Sequence, residues 1–156
     1  MDINDIRDQF VDKFVSDKVA ENGTLEIVGA SFEVYPDDAT IFGAVNYDYV
    51  DRELAWYKSR SLYVADIPLG TPKIWDEVSS KHGRINSNYG WMVFDRENYS
   101  QFDNVVNTLV ADPASRQALA IYTRPTMHRD STHDGMRDFA CTNAVQYLVR
   151  DGALEV

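Results

Sequence analysis

Apolar and polar positions alternate most clearly from Phe139 to Arg150, FACTNAVQYLVR. Phe139, Cys141, Asn143, Val145, Tyr147 and Val149 share one face of an extended chain, and Ala140, Thr142, Ala144, Gln146 and Leu148 the other. That pattern predicts a strand, and Asp151-Gly152 predicts a two-residue hairpin with Ala153 to Val156 returning along it. Earlier in the chain, Asp2 is placed to cap a helix in which Ile3, Ile6, Phe10 and Phe14 recur at helical spacing, with Asn22-Gly23 as its stop. Thr24 to Val28 alternates as a strand, and Tyr35-Pro36-Asp37-Asp38 reads as a turn. Val50, Leu54 and Tyr57 fall on one face of a helix between Tyr47 and Tyr57. Ser61 to Ile67 alternates again, Pro68 to Pro72 is a loop, and Lys73 to Lys81 forms a short helix around Trp75 that Gly83 stops. Polar and aromatic residues interleave from Ile85 to Trp91, a loop suited to holding a flat ring. A helix from Asn98 to Ala111 buries Phe102, Val105, Val106 and Leu109 and ends at Asp112-Pro113. Gln117 to Tyr122 predicts a short strand, and Thr123 to Asp138 a long polar connection without regular structure. Strands interspersed with helices predict an α/β or α+β fold, in one domain at a length of 156 residues.

Composition narrows the function classes. The hydrophobic fraction of 44%, with 12% aromatic residues, supports a packed core rather than a disordered chain. Fifteen Lys and Arg against 25 Asp and Glu give a net charge of -10, which disfavours a nucleic acid polymer as partner but leaves room for a local pocket holding one phosphate. A lone cysteine cannot form an internal disulfide and fits a reducing compartment. No apolar run is long enough for a membrane span, and the acidic start MDINDIRDQF does not resemble a signal peptide, so the expectation is a soluble, cytoplasmic protein.

Two residues stand out chemically. Cys141 lies beside Asn143 on one strand face, with Thr142 and Gln146 nearby. It is a candidate nucleophile, or alternatively a small buried hydrophobe. Glu53 falls close to the apolar face of its helix, where a carboxylate needs a partner, and a salt bridge near Arg52 or to Lys58 would supply one. His128, Asp130, His133, Asp134 and Cys141 could be imagined around a metal, but their spacing fits no zinc pattern. The paired-cysteine signature of a zinc nucleotide deaminase is missing as well, so no metal is expected.

Several stretches read together resemble the thymidylate synthase family in order and spacing. They are Arg52 to Tyr57 (RELAWY), SLYVADIP from Ser61, Pro72 to Trp75 (PKIW), Asn88-Tyr89-Gly90, Asp112 to Arg116 (DPASR), and Cys141 with Gln146. EIVGASF at Glu26, IFGA at Ile41, RINSNYGW at Arg84, IYTRPTM at Ile121 and DGMRDFACTNAVQYLVRDG at Asp134 are most similar to the phage deoxycytidylate hydroxymethylases within that family. The resemblance runs from about Thr24 to the last residue.

It implies a mixed sheet flanked by helices and a one-carbon transfer from methylenetetrahydrofolate to carbon 5 of a pyrimidine nucleotide, giving 5-hydroxymethyl-dCMP. It further implies Cys141 as the nucleophile, Glu53 as the residue positioning water and relaying protons, and Tyr89 and Trp75 as lining for the base and folate. Asn143 lies near Cys141, while Ser115 and Arg116 match the start of the family's Ser-Arg-Arg motif, whose arginine reaches the phosphate of a dimer partner's nucleotide. The chain departs from the family at Gln117, where the second arginine stands, so Lys18 is a candidate to help hold the phosphate. Thr142 replaces the histidine that follows the cysteine in thymidylate synthases, which favours a hydroxymethylase. The family's later half has no counterpart in the sequence. The expectation is therefore a truncated domain, either completed by a C-terminal polypeptide, or a dimerising, nucleotide-binding remnant without turnover, with a dUMP-directed enzyme as a further alternative.

Overall fold

The computed structural model describes residues 2–16, 23–35, 40–41 and 43–156. The chain divides into two compact units, residues 1–47 and 48–156.

In the smaller unit, helix α1 (Ile3–Ser16) starts as its sequence predicts. The Asp2 carboxylate accepts hydrogen bonds from the amides of Asn4 and Asp5 at 2.8 and 3.0 Å, and Asp5 answers by accepting from the Asp2 amide at 2.9 Å. These reciprocal bonds satisfy amides that the first helical turn leaves without partners. Ile3 and Ile6 are buried, but Phe14 is 69% exposed, so the expected apolar stripe is covered only at its start. Thr24 to Val28 keeps the predicted alternation in its burial, with Leu25 and Ile27 half-buried between exposed neighbours, but it pairs with no strand among the described residues and is not one. The predicted turn at Tyr35 to Asp38 and the stop at Asn22 lie largely outside the described residues, as does Lys18.

The larger unit opens on helix α2 (Tyr47–Ser59), followed by α3 (Lys73–Val78), α4 (Tyr89–Phe94), α5 (Gln101–Ala111) and α6 (Thr126–Asp134). Ser61 to Ile67, expected as a strand, forms one antiparallel bridge between Tyr63 and Arg84 and then a 3₁₀ turn over Val64–Asp66. Trp56, Val64, Ile67 and Ile85 build one core cluster around this bend, with Tyr57 and Trp75 packed against it. Full burial of a ring such as Trp56 contributes on the order of 2–3 kcal/mol. Asn88 caps α4 by accepting from the Trp91 amide, while its side-chain NH₂ donates to the carbonyls of Trp56 and Ser61 at 3.0 and 2.8 Å. One fully buried amide thus joins the end of α2 to the start of α4.

Strand β1 (Leu119–Ile121) pairs antiparallel with β2 (Ala144–Gln146), Ala120 opposite Val145. Strand β3 (Leu148–Arg150) pairs antiparallel with β4 (Ala153–Glu155), closing the hairpin expected at Asp151-Gly152. The single mixed sheet that was expected is therefore absent from the described residues, whose strands form two antiparallel ribbons. The strand expected from Phe139 begins only at Ala144, because the ladder needs β1 opposite it and β1 reaches no further than Ile121. The other edge of β1 is covered by Gln101, whose amide both accepts from the Ile121 N–H and donates to the Ile121 carbonyl, each at 2.8 Å.

Val105, Ala118 and Ala120 pack α5 onto β1, and Met92, Val93, Met127 and Ala140 pack α4 and α6 onto the segment before β2. Helix α6 replaces the irregular connection expected over Thr123 to Asp138. Met127, buried in its first turn, and Met136, buried just past its Gly135 cap, anchor its two ends in an otherwise polar run.

Candidate active site

Tyr49, Glu53 and Tyr57 stand four residues apart along α2 and therefore form a single stripe on that helix. The Tyr49 hydroxyl donates to Glu53 Oε1 at 3.3 Å and accepts from the Trp75 indole N–H of α3 at 3.1 Å. Tyr57 stands one turn beyond Glu53 on the same helix, close enough for its phenol to feel the carboxylate. Burial first, and then the Glu53 carboxylate, push the Tyr57 phenol well above its ordinary value, and burial raises Tyr49 as well. The salt bridge considered for Glu53 gives way to these phenols. Neighbouring Arg52 instead donates to the carbonyls of Pro68, at 2.8 Å, and Gly70.

From Tyr57 the aromatic wall continues edge-to-face onto Tyr89 at 5.5 Å, and from Tyr89 onto Tyr122 at 5.3 Å. This contact depends on Gly90, where any Cβ would lie 1.8 Å from the Tyr57 carbonyl oxygen, so α4 can approach α2 only without a side chain there. The Tyr122 phenol is pushed up to about 12 by burial and then by the neighbouring Tyr147. The Tyr122 amide donates to the Asn143 carbonyl at 2.9 Å, which brings the wall to the segment that carries the cysteine.

Cys141 is free and exposed, in a bend two residues beyond Phe139 and three before β2. Asn143 is exposed too, and Ala140 between Phe139 and Cys141 is buried, so the predicted parity holds from Phe139 to Asn143; it reverses in β2, where Ala144 and Gln146 are exposed and Val145 is half-buried. An exposed thiol sets aside the reading of Cys141 as a small buried hydrophobe. His128 packs its ring on Phe139, with centroids 5.0 Å apart, rather than joining a ligand cluster. No group of three or more metal-binding side chains occurs among the described residues.

Ser115 and Arg116 lie in the turn between α5 and β1. Ser115 Oγ accepts from the Gln117 amide at 3.2 Å, and the Arg116 carbonyl accepts from the Gln146 side chain at 2.8 Å, tying this turn to β2. The Arg116 guanidinium is exposed and has no partner among the described residues. The structure thus connects Glu53, Trp75 and Tyr89 through hydrogen bonds and ring contacts, and reaches Asn143 through Tyr122. Arg116 and Ser115 sit apart from that wall.

The loop at Ile85 to Asn88 differs from its expected role. Ile85, Asn86, Ser87 and Asn88 are all buried, and the main-chain amides of Ile85, Asn86 and Ser87 and the side-chain NH₂ groups of Asn86 and Asn88 donate within the protein, so this stretch anchors the wall. The residue responsible is Asp138, whose carboxylate accepts from the amides of Asn86 and Ser87 at 2.6 and 2.7 Å and from the Ser87 hydroxyl at 2.6 Å. Its position three residues before Cys141 was the available signal. A separate open cleft of about 690 Å³ is lined by Arg84, Trp91, Tyr99, Leu119, Ile121 and Arg124 among others, and none of the expected site residues borders it. Within it the Arg124 guanidinium lies 5.0 Å from the Trp91 ring centre and is held at 2.5 Å by Asn98.

An exposed thiol, a carboxylate bonded by a phenol and a wall of rings are the chemically notable groups of the larger unit. Residues 17–156 match the family model described as thymidylate synthase, and the chain belongs to that family. The deoxycytidylate 5-hydroxymethyltransferases of enterobacteria phages T4, T2 and T6 are each 54% identical to it over 138 residues, covering 88% of this chain and 55% of theirs. The chain thus spans about half the length of the curated relatives it matches.

Proposed function

We propose that the chain contributes the nucleophile and the acid–base group of a folate-dependent deoxycytidylate 5-hydroxymethyltransferase. The observation that carries this reading is the Glu53 carboxylate, bonded by the Tyr49 phenol, at one end of an aromatic wall that leads to the segment of the exposed Cys141.

Carbon 5 of cytosine is not nucleophilic in the aromatic ring. Addition of the Cys141 thiolate to carbon 6 breaks the 5,6 double bond and makes carbon 5 electron-rich, so that it can attack the methylene of methylenetetrahydrofolate. Loss of the carbon 5 proton and departure of tetrahydrofolate leave an exocyclic methylene. Water adds to that carbon, the thiolate leaves carbon 6, and 5-hydroxymethyl-dCMP is released. Glu53 holds the water and moves protons at the base. Tyr89 and Trp75, both half-buried with ring faces in the wall, fit the flat rings of nucleotide and folate. Thr142, in place of an imidazole after the nucleophile, favours capture by water over hydride. Arg116, exposed and without a partner among the described residues, is available to a phosphate across a homodimer, together with Ser115; Lys18, outside the described residues, is a candidate on its sequence alone. A second polypeptide supplying the remaining length of the relatives is the other route to a complete site.

The test is release of tritium from [5-³H]dCMP in the presence of methylenetetrahydrofolate, by the chain alone and mixed with such a polypeptide. Release should disappear in Cys141→Ser and fall about 100-fold or more in Glu53→Gln. Binding of dCMP without any release, in both formats, would overturn the catalytic reading and leave a non-catalytic nucleotide binder.

A further inference from the structure

We propose that Tyr49 is a positioning residue that couples the Glu53 carboxylate to the Trp75 indole, so that acid–base group and ring wall act as one hydrogen-bonded unit. The proposal rests on the reading of Glu53 as the group that handles protons.

A phenol has one proton to donate and lone pairs to accept with, and Tyr49 uses both kinds of valence. It gives its proton to Glu53 at 3.3 Å and receives the Trp75 N–H at 3.1 Å. Donating to a carboxylate polarises the phenol and makes its oxygen a better acceptor, so the charge on Glu53 is felt at an indole that Glu53 does not bond. The i, i+4 spacing of Tyr49 and Glu53 on α2 fixes the first link, and the placement of Trp75 on α3 supplies the second. The charged and titratable groups around this unit are Arg52 on the same helix, engaged with the carbonyls of Pro68 and Gly70, Tyr57 on the other side of Glu53, and Tyr89 beyond it on α4. None of these bonds the indole. Tyr49 is therefore the link through which the two site residues communicate. Phenylalanine at 49 would fill the same space while breaking both bonds.

The indole N–H signals of the 156-residue chain, read by ¹H–¹⁵N NMR, test this without relying on turnover. Trp75→Phe identifies the Trp75 resonance; Trp56, whose buried N–H has no acceptor among the described residues, and Trp91 serve as internal references. Both Tyr49→Phe and Glu53→Gln should move the Trp75 signal upfield and leave the references in place, and the double variant should move it no further than Tyr49→Phe alone. An unmoved signal in Glu53→Gln, or additive displacements in the double variant, would overturn the coupling. In the tritium assay Tyr49→Phe should lower kcat about tenfold with KM for dCMP changed less than about twofold, the split expected of a group acting through Glu53. A wild-type chain that releases no tritium in either format sinks the proposed activity, while the NMR displacements decide the coupling whichever way that assay falls.

Discussion

A carboxylate buried in a protein is stable only where donors surround it, and Asp138 has three of them within 2.7 Å. Its acceptors hold two successive amides of the Asn86–Ser87 turn, immediately before the cap that starts α4. Removing it leaves those donors buried and unsatisfied. Asp138→Ala should therefore destabilise the larger unit by roughly 3 kcal/mol, measured as a shift in urea midpoint at constant slope. A midpoint unchanged from wild type would show that water replaces the carboxylate freely. The sequence disguised this residue, since an aspartate next to Arg137 in a run of charges has the pattern of a solvated surface. Glu53 was legible because its neighbours on α2 are apolar or aromatic at helical spacing, which made a charge there conspicuous. Its partners were harder to see. Tyr49 and Tyr57 are four residues to either side, but Trp75 comes from another helix, and no local pattern announces that meeting.

Elements with a strong local start or stop signal have that one end where the sequence placed it, while α3 ends at Val78, before the expected Lys81, and α5 starts at Gln101, after the expected Asn98. Helix α1 has Asp2, α5 ends at Asp112-Pro113, and the β3–β4 hairpin turns at Asp151-Gly152. Elements that depend on a distant partner did not. Thr24 to Val28 has strand alternation and no strand, and the run from Phe139 extends well before its ladder begins, because a ladder is a property of two segments and alternation of one. Between these cases stands the contact of α2 with α4, which a glycine decides. A methyl at residue 90 would lie 1.8 Å from the oxygen and 2.5 Å from the carbon of the Tyr57 carbonyl, and neither can yield without moving a helix. Gly90→Ala should cost about 3 kcal/mol or more and separate Tyr89 from Tyr57. Thermal unfolding followed by near-ultraviolet circular dichroism reads both effects, since the edge-to-face tyrosine pair contributes to that signal. An alanine variant with wild-type midpoint and spectrum would mean that the helices are not held at this distance.

At the scale of the molecule, the buried phenols set how stability depends on pH. Tyr49 and Tyr57 are raised above the ordinary phenol value by burial and by Glu53, and Tyr122 is raised from 10 to about 12 by burial and by the neighbouring Tyr147. All three are neutral in the folded chain at pH values where the unfolded chain has begun to ionise them. The sign follows directly. A group whose folded value lies above its unfolded one gives its full stabilisation below about pH 10, and that stabilisation drains away as pH rises toward the folded value. The protein should hold its urea midpoint up to about pH 9 and lose it steadily between about pH 10 and pH 12, with proton release on unfolding increasing over the same window. The net charge of -10 adds self-repulsion that also grows as phenols ionise, so the total slope alone does not identify the phenols. The comparison that does is Tyr122→Phe, which keeps the ring between Tyr89 and the β1 core and removes one titrating proton from both states. Its midpoint should fall less steeply with alkaline pH than that of the wild type, so that the two curves converge above about pH 11. Parallel curves throughout would show that Tyr122 ionises alike in folded and unfolded chains, and that the aromatic wall is wetter than its burial implies.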